Sequence, residues 1–248
     1  MSGISRSGTS LLSVLINHID NAVCFNEVLP SEAALLSDAL AQARLDLLAG
    51  NPVRNKYDDK GQLTTDTLSG MSKKKRLVRR PVDGEVCVAS KRNIPYLSQA
   101  GELLALGYRM VVMIRDPVYT LGSWSSAKAA EGRIPGALLE VGATHPHWRP
   151  VHFTRTDVIE RRAEAWQHFA ALIWSLRSRV MIIQYEELCF HPEGVVADLC
   201  AFAGLSPPAR LPDVVLGPLN DDRRYPELSR IRAAVAELCP VRRSFGYE

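Results

Sequence analysis

The chain has 248 residues, 46% of them hydrophobic and 23% charged, with a formal net charge of +3. That balance excludes a disordered chain, and so small an excess of cations gives no support for nucleic-acid binding. The length suits one α/β domain over 1–248 with ample core. The five cysteines, Cys24, Cys87, Cys189, Cys200 and Cys239, are scattered, odd in number and free of any Cys-x-x-Cys pair. They read as reduced, packed thiols of a cytoplasmic protein. No apolar run reaches the length of a membrane span, and no signal peptide is visible.

The chain opens on Gly3-Ile4-Ser5-Arg6-Ser7-Gly8-Thr9-Ser10, followed at once by a helix-spaced apolar run, Leu11, Leu12, Val14, Leu15 and Ile16. Two glycines five positions apart, hydroxyl residues between and after them, and then a helix suit a phosphate cradle. Glycine allows positive φ, and inward N–H groups beside a helix N-terminus favour an anion. The spacing is that of a Walker A loop in which Gly8-Thr9-Ser10 replaces Gly-Lys-[Ser/Thr] and the cation, Arg6, lies inside the loop. A Gly/Ser turn that only caps the helix, with Ser7 or Thr9 near the N-cap, satisfies the same residues. A phosphate loop ordinarily follows a buried strand, yet only Met1 to Ile4 precede this one. The first strand is therefore expected to be very short, or the chain to be cut or its start misplaced.

A helix is expected from Thr9 to about Ile19, then a short strand Ala22–Phe25 that delivers Asn26 and Glu27 to its carboxyl end. A second helix follows from Ser31 to about Ala49, closed by Gly50-Asn51-Pro52. Residues 51–83 read as polar and irregular, and within them positions 73–80 hold six cations. That run is a solvated face or a steering patch for an anionic cofactor or acceptor. Val86–Ala89 is a buried strand ending at Ser90-Lys91, and Ile94 to about Leu106 is helical. Met110–Ile114 is the clearest strand and ends at Arg115-Asp116-Pro117. Pro117 opens the next helix, which carries Ser123. Glu131–Val151, rich in Gly and Pro, reads as a mobile surface loop. A long amphipathic helix spans Thr156 to about Arg177, and a buried strand Val180–Ile183 ends at Gln184-Tyr185-Glu186. Two more helices cover Pro192 to about Ala203 and Glu227–Leu238. Strands alternating with helices predict an α/β fold: a P-loop-like parallel sheet flanked by helices, with ligands at the carboxyl ends of the strands. Arg6, Glu27, Lys91, Arg115 and Tyr185 all fall at such ends.

Four separated stretches resemble one family, the PAPS-dependent sulfotransferases. Ser5-Arg6-Ser7-Gly8-Thr9-Ser10-Leu11-Leu12 resembles their 5′-phosphosulfate loop, and Ile114-Arg115-Asp116-Pro117 with Ser123 their 3′-phosphate motif. Gln184-Tyr185-Glu186-Glu187-Leu188, His191-Pro192-Glu193 and Phe202-Ala203-Gly204-Leu205 together resemble a third family segment. Phe245-Gly246-Tyr247 is similar to the chain end of many bacterial members. The closest flavour is the Arg-Ser-Gly-Thr branch, which includes tyrosylprotein and bacterial small-molecule sulfotransferases. The resemblance implies transfer of a sulfuryl group from 3′-phosphoadenosine-5′-phosphosulfate (PAPS) to a hydroxyl acceptor, leaving PAP, without a metal ion.

It further implies that Arg6, Ser7, Gly8, Thr9 and Ser10 hold the 5′-phosphate and that Arg6 stabilises the leaving oxygen. Arg115 and Ser123 grip the 3′-phosphate, Lys91 stands beside the bridging oxygen, and Tyr185 packs on or hydrogen-bonds the cofactor. Glu27 occupies the place of the general base, and burial by Phe25, Val28 and Leu29 is expected to raise its basicity. His145 and His147 are the alternative bases, whereas His18 is structural. Each residue also has a plainer role open to it: Lys91 as an exposed loop lysine, Arg115 as an ion-pair partner of Asp116, Tyr185 as core, Glu27 as a surface acid. The segments 51–83 and 131–152, expected to face the acceptor, do not map onto the family. The rival functions are a Mg-dependent P-loop kinase, opposed by the missing lysine at position 9, and a non-catalytic nucleotide-binding protein.

Overall fold

The computed structural model describes residues 1–56, 75–126, 151, 153–212, 220–225 and 227–248. Its strands are β1 (Ser2–Gly3), β2 (Ala22–Asn26), β3 (Val53–Lys56), β4 (Lys75–Val78), β5 (Cys87–Lys91), β6 (Val111–Ile114) and β7 (Met181–Gln184). The helices are α1 (Thr9–Ile16), α2 (Ala33–Leu48), α3 (Ile94–Ser98), α4 (Ala100–Ala105), α5 (Pro117–Ser126), α6 (Val158–Ser175), α7 (Tyr185–Phe190), α8 (Pro192–Ala203) and α9 (Leu228–Leu238). The fold is α/β, with parallel sheets flanked by helices.

Two parallel sheets, β1-β6-β7 and β2-β5, abut along β1. The Met1 ammonium donates to the Ser90 carbonyl at 2.7 Å, and the Arg92 N–H to the Met1 carbonyl at 3.2 Å. Side chains on β6 alternate between the two faces, as a period of two requires. Val112 and Ile114 join a cluster with Leu36, Ile94, Trp166 and Ile231, while Met113 joins one with Leu12, Leu15, Cys24 and Leu199. Burial on both faces accounts for the unbroken apolar run of this strand. On α6 the core stripe Ile159, Ala163, Trp166, Ala170, Ile173 recurs at helical spacing. Asp157 caps that helix by accepting from the N–H groups of Ile159 and Glu160.

The first strand is indeed very short, with only Ser2 and Gly3 in the ladder. Beyond its reach a cavity of about 200 Å³ separates β5 from β6, lined by Met1, Val88, Ala89, Met110, Val111 and Phe202 among others. Its lining includes none of Arg6, Glu27, Lys91 or Arg115.

Three expectations are corrected. The stretch 51–83 is not irregular throughout: Val53–Lys56 and Lys75–Val78 form an antiparallel pair, with Val53 opposite Val78 and Lys56 opposite Lys75. The helix expected over Ile94–Leu106 breaks at Gln99, whose side chain accepts from Ala33 N–H and donates to the Ser31 and Pro95 carbonyls. Tyr185 does not end a strand but opens α7. The five cysteines are free thiols, four of them buried. Among the described residues no helix is long and apolar enough to cross a membrane. The loop expected over Glu131–Val151 lies outside the described residues but for Val151, and Lys73 and Lys74 of the basic run lie outside them too.

Candidate functional site

The opening loop folds through two left-handed residues, Arg6 at φ 73° and Gly8 at φ 82°. Gly8 is the N-cap of α1, and no side chain caps that helix, so neither Ser7 nor Thr9 performs the capping role open to it in the sequence. A Cβ at Gly8 would lie 2.5 Å from the Tyr185 ring, and one at Gly3 would lie 2.4 Å from the Met113 carbonyl. Both positions therefore need glycine, Gly3 against β6 and Gly8 against the first residue of α7. The turn is braced by Ser7 N–H to Ile4 carbonyl at 3.2 Å and by the Trp124 indole N–H to Ser5 carbonyl at 3.1 Å. Ser7 is fully buried, and among the described residues its hydroxyl has no hydrogen-bond partner. A buried hydroxyl left so costs free energy unless something joins it.

Four of the expected residues gather at one end of the loop. Arg6 Nε donates to Ser123 Oγ at 2.9 Å, and Arg115 Nη1 donates to the Arg6 carbonyl at 3.3 Å. Arg115 is 3% exposed and its guanidinium lies 4.6 Å over the Tyr185 ring. It does not turn to Asp116, whose carboxylate instead accepts from Val118 N–H and opens α5. Arg115 Nε and Nη2 donate to Asn220 Oδ1 at 2.9 and 2.6 Å. Asn220 in turn donates to Glu186, and Tyr247 donates to the other oxygen of Glu186 at 3.0 Å. The chain end thus reaches the site through Glu186. Burial pushes the Tyr247 phenol up, reinforced by the Glu186 charge and the hydrogen bond to it.

At the other end of the loop stand Ser10, Lys91 and Glu27. Lys91 is 2% exposed, not the exposed loop lysine that the sequence also allows. Its Nζ lies 2.6 Å from Glu27 Oε1 and 3.3 Å from Ser10 Oγ. Glu27 follows β2 with φ 56°, and its N–H donates to the Lys91 carbonyl, which fixes it beside β5. Its second oxygen, Oε2, accepts from Lys56 Nζ at 2.7 Å. Lys56 comes from the β3–β4 hairpin.

These partners overturn the expected effect of burial on Glu27. Burial alone would raise the carboxyl, but the Lys91 charge, hydrogen bonds from Lys56 and Lys91, and the Lys56 charge outweigh it and hold the group down at about 2. The carboxylate is ionised at neutral pH, as a base must be, yet it is a weaker base than the neighbouring apolar residues suggested.

The hairpin is tied to β2 by Asn55, which is fully buried. Its Oδ1 accepts from the N–H groups of Asn26 and Lys56, each at 2.9 Å, and its Nδ2 donates to the Cys24 carbonyl at 2.9 Å. Of the basic run, Arg80 donates to the Asn17 and Ile19 carbonyls just past the C-terminus of α1, where a cation suits the helix dipole. His18 lies past the end of α1 and is exposed rather than structural. His145 and His147, the alternative bases, lie outside the described residues.

The sequence alone missed Lys56, Asn55, Asn220 and the roles of Glu186 and Tyr247. Only Glu186 and Tyr247 carried a signal, since both fall within stretches that resemble the family. A glycine-bearing loop between β1 and α1, with charged residues at the carboxyl ends of parallel strands, makes this a P-loop-like α/β protein. The family model described as "Sulfotransferase family" matches residues 1–208, so the chain belongs to the sulfotransferase family and its activity is sulfuryl transfer. No curated protein matches the chain.

Proposed function

We propose that this sulfotransferase takes its sulfuryl group from PAPS and passes it to a hydroxyl-bearing acceptor, with Glu27 as general base. One observation carries the proposal: the hydrogen bonds from Arg6 to Ser123 and from Arg115 to the Arg6 carbonyl join the opening loop to the distant strand-end arginine. Two cationic groups for the two phosphates of one nucleotide are thereby linked to each other. The buried Ser7 hydroxyl and the uncapped N-terminus of α1 are what an anion-binding loop presents.

The donor, when bound, supplies an electrophilic sulfuryl group on a phosphate leaving group. Arg6, the Ser7 hydroxyl and the N–H groups of Gly8, Thr9 and Ser10 hold the 5′-phosphate and favour charge developing there. Arg115 and Ser123 hold the 3′-phosphate, for which Arg115 exchanges the Asn220 oxygen for phosphate oxygens. The guanidinium fork suits that partner better than a single amide oxygen. Tyr185 supports the guanidinium from below. Lys91 neutralises charge on the bridging side. Glu27 accepts the acceptor's hydroxyl proton on Oε1, aligned through Oε2 by Lys56. The kinase alternative fares worse: position 9 is threonine, and the carboxylate of Asp116 serves as a helix cap.

Incubation with ³⁵S-labelled PAPS and a panel of phenols, sugars and lipid alcohols tests the reading directly. Labelled product from at least one acceptor, insensitive to EDTA, is expected. Retention on ATP-agarose but not PAP-agarose, abolished by EDTA, would favour the kinase instead.

A further inference from the structure

Glu27 has both carboxylate oxygens occupied by ammonium groups, Oε1 by Lys91 and Oε2 by Lys56. In this arrangement each oxygen faces an ammonium group, and the two charges together weaken the carboxylate as a base. The two lysines are not equivalent. Lys91 Nζ also touches Ser10 Oγ in the loop, whereas Lys56 reaches Glu27 from the hairpin on the other side. Lys91 is the cation that an anion in the loop can draw away, and Lys56 is the one that stays.

Resting on the PAPS reading above, we propose that Lys56 is a positioning residue that anchors Glu27 by Oε2 while Lys91 transfers from Oε1 to the donor, so that donor binding strengthens the base. Drawing Lys91 away from a carboxylate with no second cation would leave a partly buried negative charge uncompensated. Lys56 removes that penalty. The donor site and the base then share one ammonium group, and their occupancies are coupled through it, a coupling that acts equally in both directions. The carboxylate reaches its full strength as a base only once the donor is in place, which couples proton acceptance to donor occupancy. Asn55 fixes the hairpin strand that carries Lys56, so the anchor is part of the folded frame rather than a loose surface lysine.

The test is calorimetric titration of the full chain with PAP, which requires no turnover. Glu27→Gln removes the competitor for Lys91 and is expected to tighten PAP about tenfold. Lys56→Gln leaves Lys91 as the sole partner of Glu27 and is expected to weaken PAP about five- to tenfold. If Lys56 acts on the donor site through Glu27, the double variant should match Glu27→Gln alone. Lys56→Arg should restore the wild-type affinity, which separates lost anchoring from a damaged hairpin. Unchanged affinity in Glu27→Gln, or a Lys56→Gln effect that persists in the Glu27→Gln background, overturns the coupling and leaves the PAPS reading standing. Failure of the wild-type chain to bind PAP at all overturns both.

Discussion

Arg115 Nη1 donates to the backbone carbonyl of Arg6 at 3.3 Å, although 109 positions separate the two residues. The contact sets the angle between the opening loop and β6, because the same guanidinium is stacked on Tyr185 and bonded to Asn220. Arg115→Ala should therefore weaken PAP by about 10- to 100-fold, the worth of the charge-assisted bonds it would make. Arg115→Lys should recover only part of this, since an ammonium cannot match the fork. Calorimetry with PAP measures both, and equal affinity in all three proteins would remove Arg115 from the donor site.

Gly8 combines φ 82° with a neighbour that leaves no room for a methyl group. Gly8→Ala should lose roughly 1–2 kcal/mol to left-handed strain alone, and more because Tyr185 must shift. The displaced ring would carry Arg115 with it. A fall in melting temperature together with weaker PAP binding is expected, measured by calorimetry. A fall in stability with donor affinity intact would mean that Tyr185 gives way without disturbing Arg115.

The Glu27 carboxyl is depressed in the folded chain, from an ordinary 4.5 to about 2. A depressed carboxyl contributes stability that is present above the unfolded value and is lost as pH falls through the folded one. The wild-type advantage in melting temperature over Glu27→Gln should accordingly be full at neutral pH. It should shrink as pH falls from about 4.5 towards about 2. A constant gap across that window would show that the two lysines do not hold the carboxylate ionised.

Glu27→Gln should also lower transfer by about 10²- to 10⁴-fold, the usual worth of a general base, while PAP still binds. Single-turnover rates with preloaded donor separate the two effects. Wild-type turnover in Glu27→Gln would move the base to another residue.

Much of this site was legible in the sequence because its residues stand where apolar strands stop. Strand ends are visible from hydrophobic runs, and parallel α/β topology gathers them at one edge. Glu27, Lys91, Arg115 and Tyr185 were placed at such ends by the apolar runs before them, Arg6 by its glycine-bearing loop, and their expected roles came from the family resemblance. The hairpin was not, since Val-Arg-Asn-Lys and Lys-Arg-Leu-Val are too short and polar to show a strand period. The wrong sign for the Glu27 shift follows only in part from that gap, since the Lys91 charge is the first of the opposing effects. The local neighbours Phe25, Val28 and Leu29 report desolvation, but the opposing field comes first from Lys91, sixty-four positions away, and then from Lys56, twenty-nine away. Asn220 was hidden for a similar reason: it belongs to no periodic element, and only the fold brings it to Arg115.

Asn55 offers the sharpest test of how far the base depends on that hairpin. It is fully buried and satisfies two N–H groups and one carbonyl, joining β3 to the end of β2. Asn55→Ala would strand those three backbone groups, and an unsatisfied buried polar group costs about 1–3 kcal/mol. Relaxation will recover some of this, so a loss of about 3 kcal/mol is expected, or about 6–12 °C in melting temperature for a chain of this size. Lys56 N–H is one of the stranded groups, so its ammonium should no longer hold Glu27 Oε2 in register. Transfer by the folded fraction should then fall towards that of Lys56→Gln, whereas Asn55→Asp, which keeps the acceptor for both N–H groups, should lose less. Measured at a temperature where all variants are folded, wild-type transfer in Asn55→Ala would show that Glu27 is positioned without the hairpin.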